Sequence, residues 1–237
     1  MSVRLASIVL PVYNQADHIQ SVLEGYVTAL ERLDFAWELL PVVNGPRRDR
    51  SLEICRAMQQ QHPEIRTECI DEGGWGVAVR RGLAKANGDL LCYTNSARTT
   101  SKELVLMLLY ASVHDNCVVK ANRKIRENWR RRLGSLLYNL ECRALFDLPY
   151  WDVNGTPKVF HRKQTALMEL SRNDDLIDLE FHAICRRESY EVIEVPIFST
   201  SRHSGRSTTN LSSAYRMYAG ALRLHRTMAT SGRTLPE

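Results

Sequence analysis

Polar residues gather where four apolar runs stop or start. They are Tyr13-Asn14 after "LASIVLPVY", Asn44-Gly45 after "WELLPVV", Gly73-Gly74-Trp75-Gly76 before "VAVRRGLAKA", and Asn95-Ser96-Ala97-Arg98 after "DLLCYT". Their types suit anion and amide recognition. Small residues let backbone N–H groups approach an anion, an asparagine oxygen accepts a hydrogen bond without charge, and Arg80, Arg81 and Arg98 supply positive charge. Each feature alone also has a plain reading: the glycines as a turn, Arg98 as a surface arginine. The histidines show no HxxxH spacing and the six cysteines no CxxC pair, so a metal centre of the usual nitrogen or sulfur kind is not expected. Reduced core thiols of a cytosolic protein fit the cysteines.

The elements that must position these clusters follow from periodicity. Strands are expected at 5–13, 37–43, in "IRTECI", and in "DLLCYT". Helices are expected where Ile19, Val22, Leu23, Tyr26, Val27 and Leu30 recur at three and four, in "SLEICRAMQQQ", and after the glycine cluster. Four strand–helix alternations in the first ~115 residues imply a helix-covered parallel sheet with ligands at the carboxyl ends of its strands. The second half is less regular. "CVVKANR", "TPKVFHR" and "YEVIEVPIF" read as strands, with a basic helix from about Glu127 to Phe146 and another near 175–188. From Asn210 onward Leu211, Ala214, Tyr215, Tyr218 and Leu222 recur at helical spacing, with Arg216, Arg223 and Arg226 on other faces. One α/β domain is expected over residues 1–207, divided at about 115/116, with a helical tail over 208–237.

The 237 residues carry a net charge of +5, which suits an anionic partner without choosing one. The charge is too modest for nucleic acid to be a leading partner. Neither a signal peptide's apolar centre nor a membrane-length apolar run is read. The expected location is the cytoplasm, with contact at the inner face of the membrane as the alternative role for the tail.

The segments "SIVLPVYNQADHI", "ELLPVVNG…RDRSLEI", "GGWGVAVRRGLAKANGDLLCYT" and "IEVPIFSTSRHSGRST" resemble, in order and spacing, family 2 glycosyltransferases of the GT-A fold. The likeness is greatest to the dolichyl- or polyprenyl-phosphate sugar synthases. It runs from about Ser7 to Ser207. It implies a GT-A, Rossmann-like, mostly parallel sheet, a nucleotide-sugar donor, a lipid-linked phosphate acceptor, and inversion at the anomeric carbon.

By this resemblance Pro11, Tyr13 and Asn14 belong to the loop that holds the nucleotide base, with Gln15 in place of a frequent Glu. Asn44 stands where the family usually has a base-binding Asp, beside Gly45, and Asp49 matches a second acidic position. Arg47 and Arg48 are placed to reach diphosphate or to be a solvated charge cluster. Gly74 and Arg80 fall in the phosphate-approach segment, where Trp75 replaces a common Lys. The metal-binding Asp-x-Asp of the family corresponds to Asn95 and Ala97. Hard cations prefer several charged oxygens; Asn95 offers one neutral oxygen as a weak ligand and Ala97 none. Mg²⁺ or Mn²⁺ is then expected only as an ion carried by the diphosphate, and Arg98 is the candidate catalytic cation in its stead. The acceptor phosphate falls to Arg123, Arg131 with Ser135, and Arg202. Asp152 matches the family's "D-x-x-G" acid, as a base toward a hydroxyl acceptor or an orienter of an acceptor-binding arginine. Asp174, Asp175, Asp178 and Glu180 resemble the acidic stretch before the last core helix; Asp174 and Asp175 also read as helix caps. Three functions follow: transfer to a phosphate-bearing acceptor, transfer to a hydroxyl acceptor, or a catalytically silent relative that binds a nucleotide sugar or a partner.

Overall fold

Strands buried on both faces need apolar residues at successive positions rather than alternation, and β1 (Leu5–Val12) and β2 (Ala36–Asn44) have them. The computed structural model describes residues 3–124, 129–198 and 211–230, without the side chains of 129–132, 211–215 and 229–230. Among the described residues the other strands are β3 (Glu68–Ile70), β4 (Leu90–Tyr93), β5 (Cys117–Arg123), β6 (Lys158–His161) and β7 (Glu191–Ile197). They form one sheet in the order β3-β2-β1-β4-β6-β5-β7. Only β6 runs antiparallel, to β4 on one side and β5 on the other. Its reversal brings its first residue, Lys158, and the loop before it to the edge where the parallel strands end.

The helices are α1 (Ile19–Leu30), α2 (Ser51–Gln61), α3 (Trp75–Lys85), α4 (Ser101–Val113), α5 (Trp129–Phe146), α6 (Ile177–Arg187) and α7 (Leu211–Thr230), with a 3₁₀ turn at Thr165–Glu169. Successive strand residues point to opposite faces. Ile8 and Leu10 accordingly join α1, α2 and α4 in one core, while Val9 joins α3 and α6 in a second. A third core holds Tyr138, Cys142 and Phe146 of α5 against Leu179 of α6 and Ala221 and Leu224 of α7. Thr100 and Glu103 close a reciprocal capping box at the start of α4.

The elements expected from periodicity are present, with three differences. β3 is shorter than "IRTECI": its first part contributes only an isolated Leu39–Ile65 bridge. α3 begins at Trp75, inside the glycine cluster. The buried face of α7 runs through Ala221 and Leu224, whereas Leu222 is exposed; Gly220 leaves room for Leu176, whose Cδ1 would lie 2.4 Å from a Cβ there.

Candidate active site at the carboxyl edge of the sheet

The ends of β3, β2, β1 and β4 bring their loops together through backbone contacts that only small residues permit. Gly45 has φ +73, and a Cβ there would meet Gly73 Cα and Tyr13 Cε2, each at 3.1 Å. The Tyr13 ring therefore covers a surface shared by the second and third loops while staying 40% exposed. Pro11 lies beyond the last β1–β4 bond, Thr94 N to Val9 O at 3.1 Å, so its missing N–H leaves no ladder position empty. Asn14 adopts φ 49, and its Oδ1 accepts the Arg48 N–H at 3.0 Å.

Asn44 is buried, and its amide serves the scaffold. Nδ2 donates to Val12 O at 3.0 Å and, more weakly, to Val42 O at 3.4 Å. Oδ1 accepts the Gly74 N–H at 3.1 Å. These bonds fix the amide's orientation and join the ends of β1 and β2 to the start of α3. The Asn44 amide, expected to face a base, has its N–H groups turned to carbonyls and its oxygen engaged by Gly74.

The expected phosphate approach at Gly74 and Gly76 is filled by the chain itself. A Cβ on Gly76 would lie 2.3 Å from Arg172 O, and one on Gly74 2.6 Å from Asn173 O. The Val77 N–H donates to Asn173 O at 3.2 Å, and Arg80 Nη1 donates to Asn173 Oδ1. Glu180, buried on α6, fixes that loop by accepting from Ser171 Oγ and from the Ser171 and Arg172 N–H groups. The glycines thus admit a second backbone, and Arg80 clamps it.

Asp49 reaches back to the first loop. Its carboxylate accepts the Ala16 N–H at 2.8 Å and the Ser51 N–H and Oγ at 3.0 and 2.7 Å. Burial pushes its pKa up, but these donors prevail and hold it below the usual carboxylate range. Arg47 is paired with Asp71 at 3.0 Å.

After β4 the chain makes a helical turn: Asn95 O accepts from Arg98 N at 3.2 Å and Thr99 N at 3.0 Å. Asn95 Oδ1 accepts the Ala97 N–H at 2.9 Å, and Ser96 Oγ donates to Gln15 Oε1. Arg98 is half-buried in this turn. Neither Asn95 nor Ala97 offers a charged oxygen to a divalent cation at this turn. The Asn95 oxygen closes the turn, Ala97 is a methyl group, and among the described residues no three His, Cys, Asp or Glu side chains gather to hold a metal ion.

On the other side of β4, Asp152 holds Arg123. Its Oδ2 accepts the Arg123 N–H at 2.9 Å and Nε at 2.8 Å, and its Oδ1 accepts Nη2 at 2.7 Å. Gly155 makes room for this turn: a Cβ there would lie 2.1 Å from Ala121 O and 3.0 Å from Asp152 Oδ2. Burial pulls the Arg123 pKa down, but Asp152 outweighs it and keeps the guanidinium charged. Ser135 joins through Asn139, which donates to Ser135 O at 2.7 Å and accepts the Val153 N–H at 2.8 Å. The side chain of Arg131, and Arg202 entirely, lie outside the described residues.

Two lysines that motif reading did not single out, together with Asp178, lie buried near Arg123 and Asp152. Lys158 is fully buried and ion-paired to Asp178. Asp178, read earlier only as part of an acidic stretch, also accepts from Tyr93 OH at 3.0 Å and Trp75 Nε1 at 3.2 Å. Lys120, also fully buried, pairs with Glu194 at 2.9 Å and donates to Trp151 O. Burial lowers its pKa to about 8 against the raising effect of Glu194. The available signal was a lysine inside each of two apolar strands, "VVKAN" and "PKVFH", since a lysine in a covered strand needs a partner. Asp174 does not cap α6 as expected: it accepts the Leu176 N–H at 3.2 Å in the turn before the helix, whose N-cap is Leu176 with no side-chain cap bond.

The family model described as "Glycosyl transferase family 2" matches residues 7–193. The chain belongs to glycosyl transferase family 2. Among curated relatives, undecaprenyl-phosphate 4-deoxy-4-formamido-L-arabinose transferases from Sodalis glossinidius (strain morsitans) and Edwardsiella ictaluri (strain 93-146) are 23% and 24% identical over 89% of this chain. The chain spans 64% of the length of each. In fold it is similar to glucosyl-3-phosphoglycerate synthase from Mycobacterium tuberculosis, solved with Mn²⁺, UDP and glucosyl-3-phosphoglycerate. The TM-score is 0.70 at 17% identity, covering 99% of this chain and 81% of that one. A mannosyltransferase from Pyrobaculum calidifontis, solved with GDP-Man and Mn²⁺, gives a TM-score of 0.60 at 16% identity, covering 100% of this chain and 66% of that one. The family 2 assignment and the sheet order agree with the GT-A fold expected from the sequence.

Proposed function

We propose that this family 2 domain transfers a sugar from a nucleotide sugar to a polyprenyl phosphate, with inversion at the anomeric carbon and without a protein-held metal. The observation that carries the reading is Arg123, a charged guanidinium fixed at the carboxyl edge by a buried Asp152. With its Nε and Nη2 edge taken by Asp152, the remaining guanidinium donors suit a phosphate oxygen, and holding them in advance lowers the ordering cost of binding. The names of the curated relatives support the acceptor class.

The acceptor phosphate is ionised near neutral pH and needs no general base. One of its oxygens forms the new bond to the anomeric carbon from the face opposite the diphosphate. The bond to the diphosphate oxygen breaks, and the leaving group departs with the electron pair. Arg98 is placed in the proposal to offset the charge that develops there, with Tyr13 and the loop surface beside Gly45 receiving the base. Asp152 acts through Arg123: its three accepted bonds fit an orienting role better than a base.

The test is transfer from a panel of nucleotide sugars to undecaprenyl phosphate in detergent, with EDTA or Mn²⁺, read by mass spectrometry of the lipid product. Product formed in EDTA is expected. Asp152→Asn should raise the acceptor KM about tenfold or more and leave the pH dependence of kcat unchanged. A strict Mn²⁺ requirement would overturn the metal-free reading. A loss confined to kcat with a shifted pH profile would make Asp152 a base for a hydroxyl acceptor. Nucleotide binding without turnover would point to a silent relative.

A further inference from the structure

We propose that the α5–α7 layer docks on an anionic lipid bilayer through the exposed leucines of α5. Leu133, Leu136, Leu137 and Leu140 are 49%, 44%, 50% and 47% exposed. Their spacing of three and four places them on one helical face, about 10 Å long at the rise of an α-helix. The opposite face is accounted for: Tyr138, Cys142 and Phe146 are buried against α6 and α7. Tyr138 stacks edge-on against Tyr218 with ring centroids 5.6 Å apart, and Tyr218 OH donates to Gly134 O at 2.7 Å. α5 and α7 thus form one packed layer, with the stripe exposed on α5 and Leu222 exposed on α7.

Charge decides the occupant. The segments of α5 and α7 contain seven arginines, no lysine or aspartate, and the single glutamate Glu141. Their net charge is +6 against +5 for the whole chain, so the rest of the protein carries −1. Arg130, Arg131 and Arg132 occupy the first turn of α5, one residue before the stripe begins, and Arg216, Arg223 and Arg226 are exposed on α7. An exposed apolar face on a layer this rich in arginine matches the interface of an anionic bilayer, where apolar burial and attraction to headgroups act together. α4 provides the contrast. Leu106, Leu109, Tyr110 and Val113 are 41%, 45%, 42% and 74% exposed at the same spacing, but residues 104–113 contain no charged side chain. No described helix is long and apolar enough to cross a membrane, so contact through this layer lies along the surface. α5 follows β5, whose last residue is Arg123; that docking presents Arg123 to a lipid phosphate rests on the function proposed above.

Docking itself is tested without any acceptor lipid or nucleotide, so its failure and the failure of the transferase reading are separable. The full chain is sedimented with vesicles of phosphatidylcholine alone or with about one-third phosphatidylglycerol. Partition is expected to favour the anionic vesicles at least ~10-fold at low salt and to fall as salt rises. The double variant Leu136→Asp/Leu140→Asp, at exposed positions, should keep its circular dichroism spectrum and lose about tenfold or more of the partition. Leu109→Asp on α4 should leave it unchanged, as should millimolar inorganic phosphate. Equal binding to neutral vesicles, equal loss in Leu109→Asp, or displacement by phosphate would overturn the proposal. So would a lipid-free dimer in light scattering that the double variant dissociates, which would assign the stripe to a second copy of the chain.

Discussion

Replacing Asn44 by aspartate introduces the residue that the family resemblance implies at this position, and the structure expects it to do harm. The Asn44 amide gives one good hydrogen bond to Val12 O at 3.0 Å and a long one to Val42 O at 3.4 Å. A carboxylate of the same shape keeps the bond from Gly74 N but turns an oxygen toward those carbonyls at a site only 5% exposed. Losing one neutral hydrogen bond costs about 1 kcal/mol net, and leaving buried acceptors facing a charge adds about 1–3 kcal/mol. Asn44→Asp should therefore cost about 3 kcal/mol at neutral pH, or roughly 6–12 °C in Tm for a chain of this size. Facing two acceptors, the introduced carboxyl would have its folded pKa raised above the unfolded ~3.9. The variant should thus lie near the parent below about pH 4, where the protonated carboxyl donates to Val12 O, and fall away as pH rises through its folded pKa. Urea denaturation of both proteins from pH 4 to 8 measures this. A variant as stable as the parent at pH 8, above all one that binds nucleoside diphosphate more tightly, would refute the assignment of the amide to the scaffold.

Gly155→Ala should be poorly tolerated, because its methyl meets Ala121 O at 2.1 Å; a loss of about 3 kcal/mol or more is expected in thermal unfolding. Lys158→Met alone leaves Asp178 buried and unpaired and should cost about 3–5 kcal/mol. The double variant Lys158→Met/Asp178→Leu should recover a large part of this, read as coupling in a double-mutant cycle. His182 is buried, and burial followed by the charges of Lys120 and Lys158 holds its pKa well below 6.5. The unfolded chain then takes up a proton that the folded one refuses, so stability should fall as pH drops below about 6.5. His182→Gln should flatten that slope in urea titrations between pH 5 and 7.

Periodicity made most of the fold legible. β1 and α1 show it most plainly: an unbroken apolar run, then apolar residues at three and four. α4 is harder to place on a face, because apolar residues surround it and both Leu108 inside and Leu109 outside look alike in sequence. The direction of β6 was not legible at all, since four residues carry no sign of whether their neighbours run with or against them. Asp152 and Arg123 were singled out by motif, and three mutual bonds tie them as one unit. The use of Asn44 was not, because its partner Gly74 is 30 residues away and an amide in a strand-end loop looks the same whether it faces a ligand or the backbone. The glycine cluster had the same defect: small residues announce a close approach without naming what approaches. Here it is the segment from Arg172 to Asp174.

Asp178 takes hydrogen bonds from Trp75 and Tyr93, which belong to the first part of the chain, and an ion pair from Lys158, which belongs to the second. β6 is likewise wedged between β4 and β5. A cut at the surface between residues 115 and 116 would therefore sever a loop without separating two foldable bodies. Each fragment would present an unpaired sheet edge, and the buried Lys158–Asp178 pair, whole in the second fragment, would lose the hydrogen bonds from Trp75 and Tyr93. Co-expressed, the two pieces should reassemble into a working whole; apart, neither should persist. The boundary that is natural for describing the chain thus runs through both the sheet and a buried polar cluster.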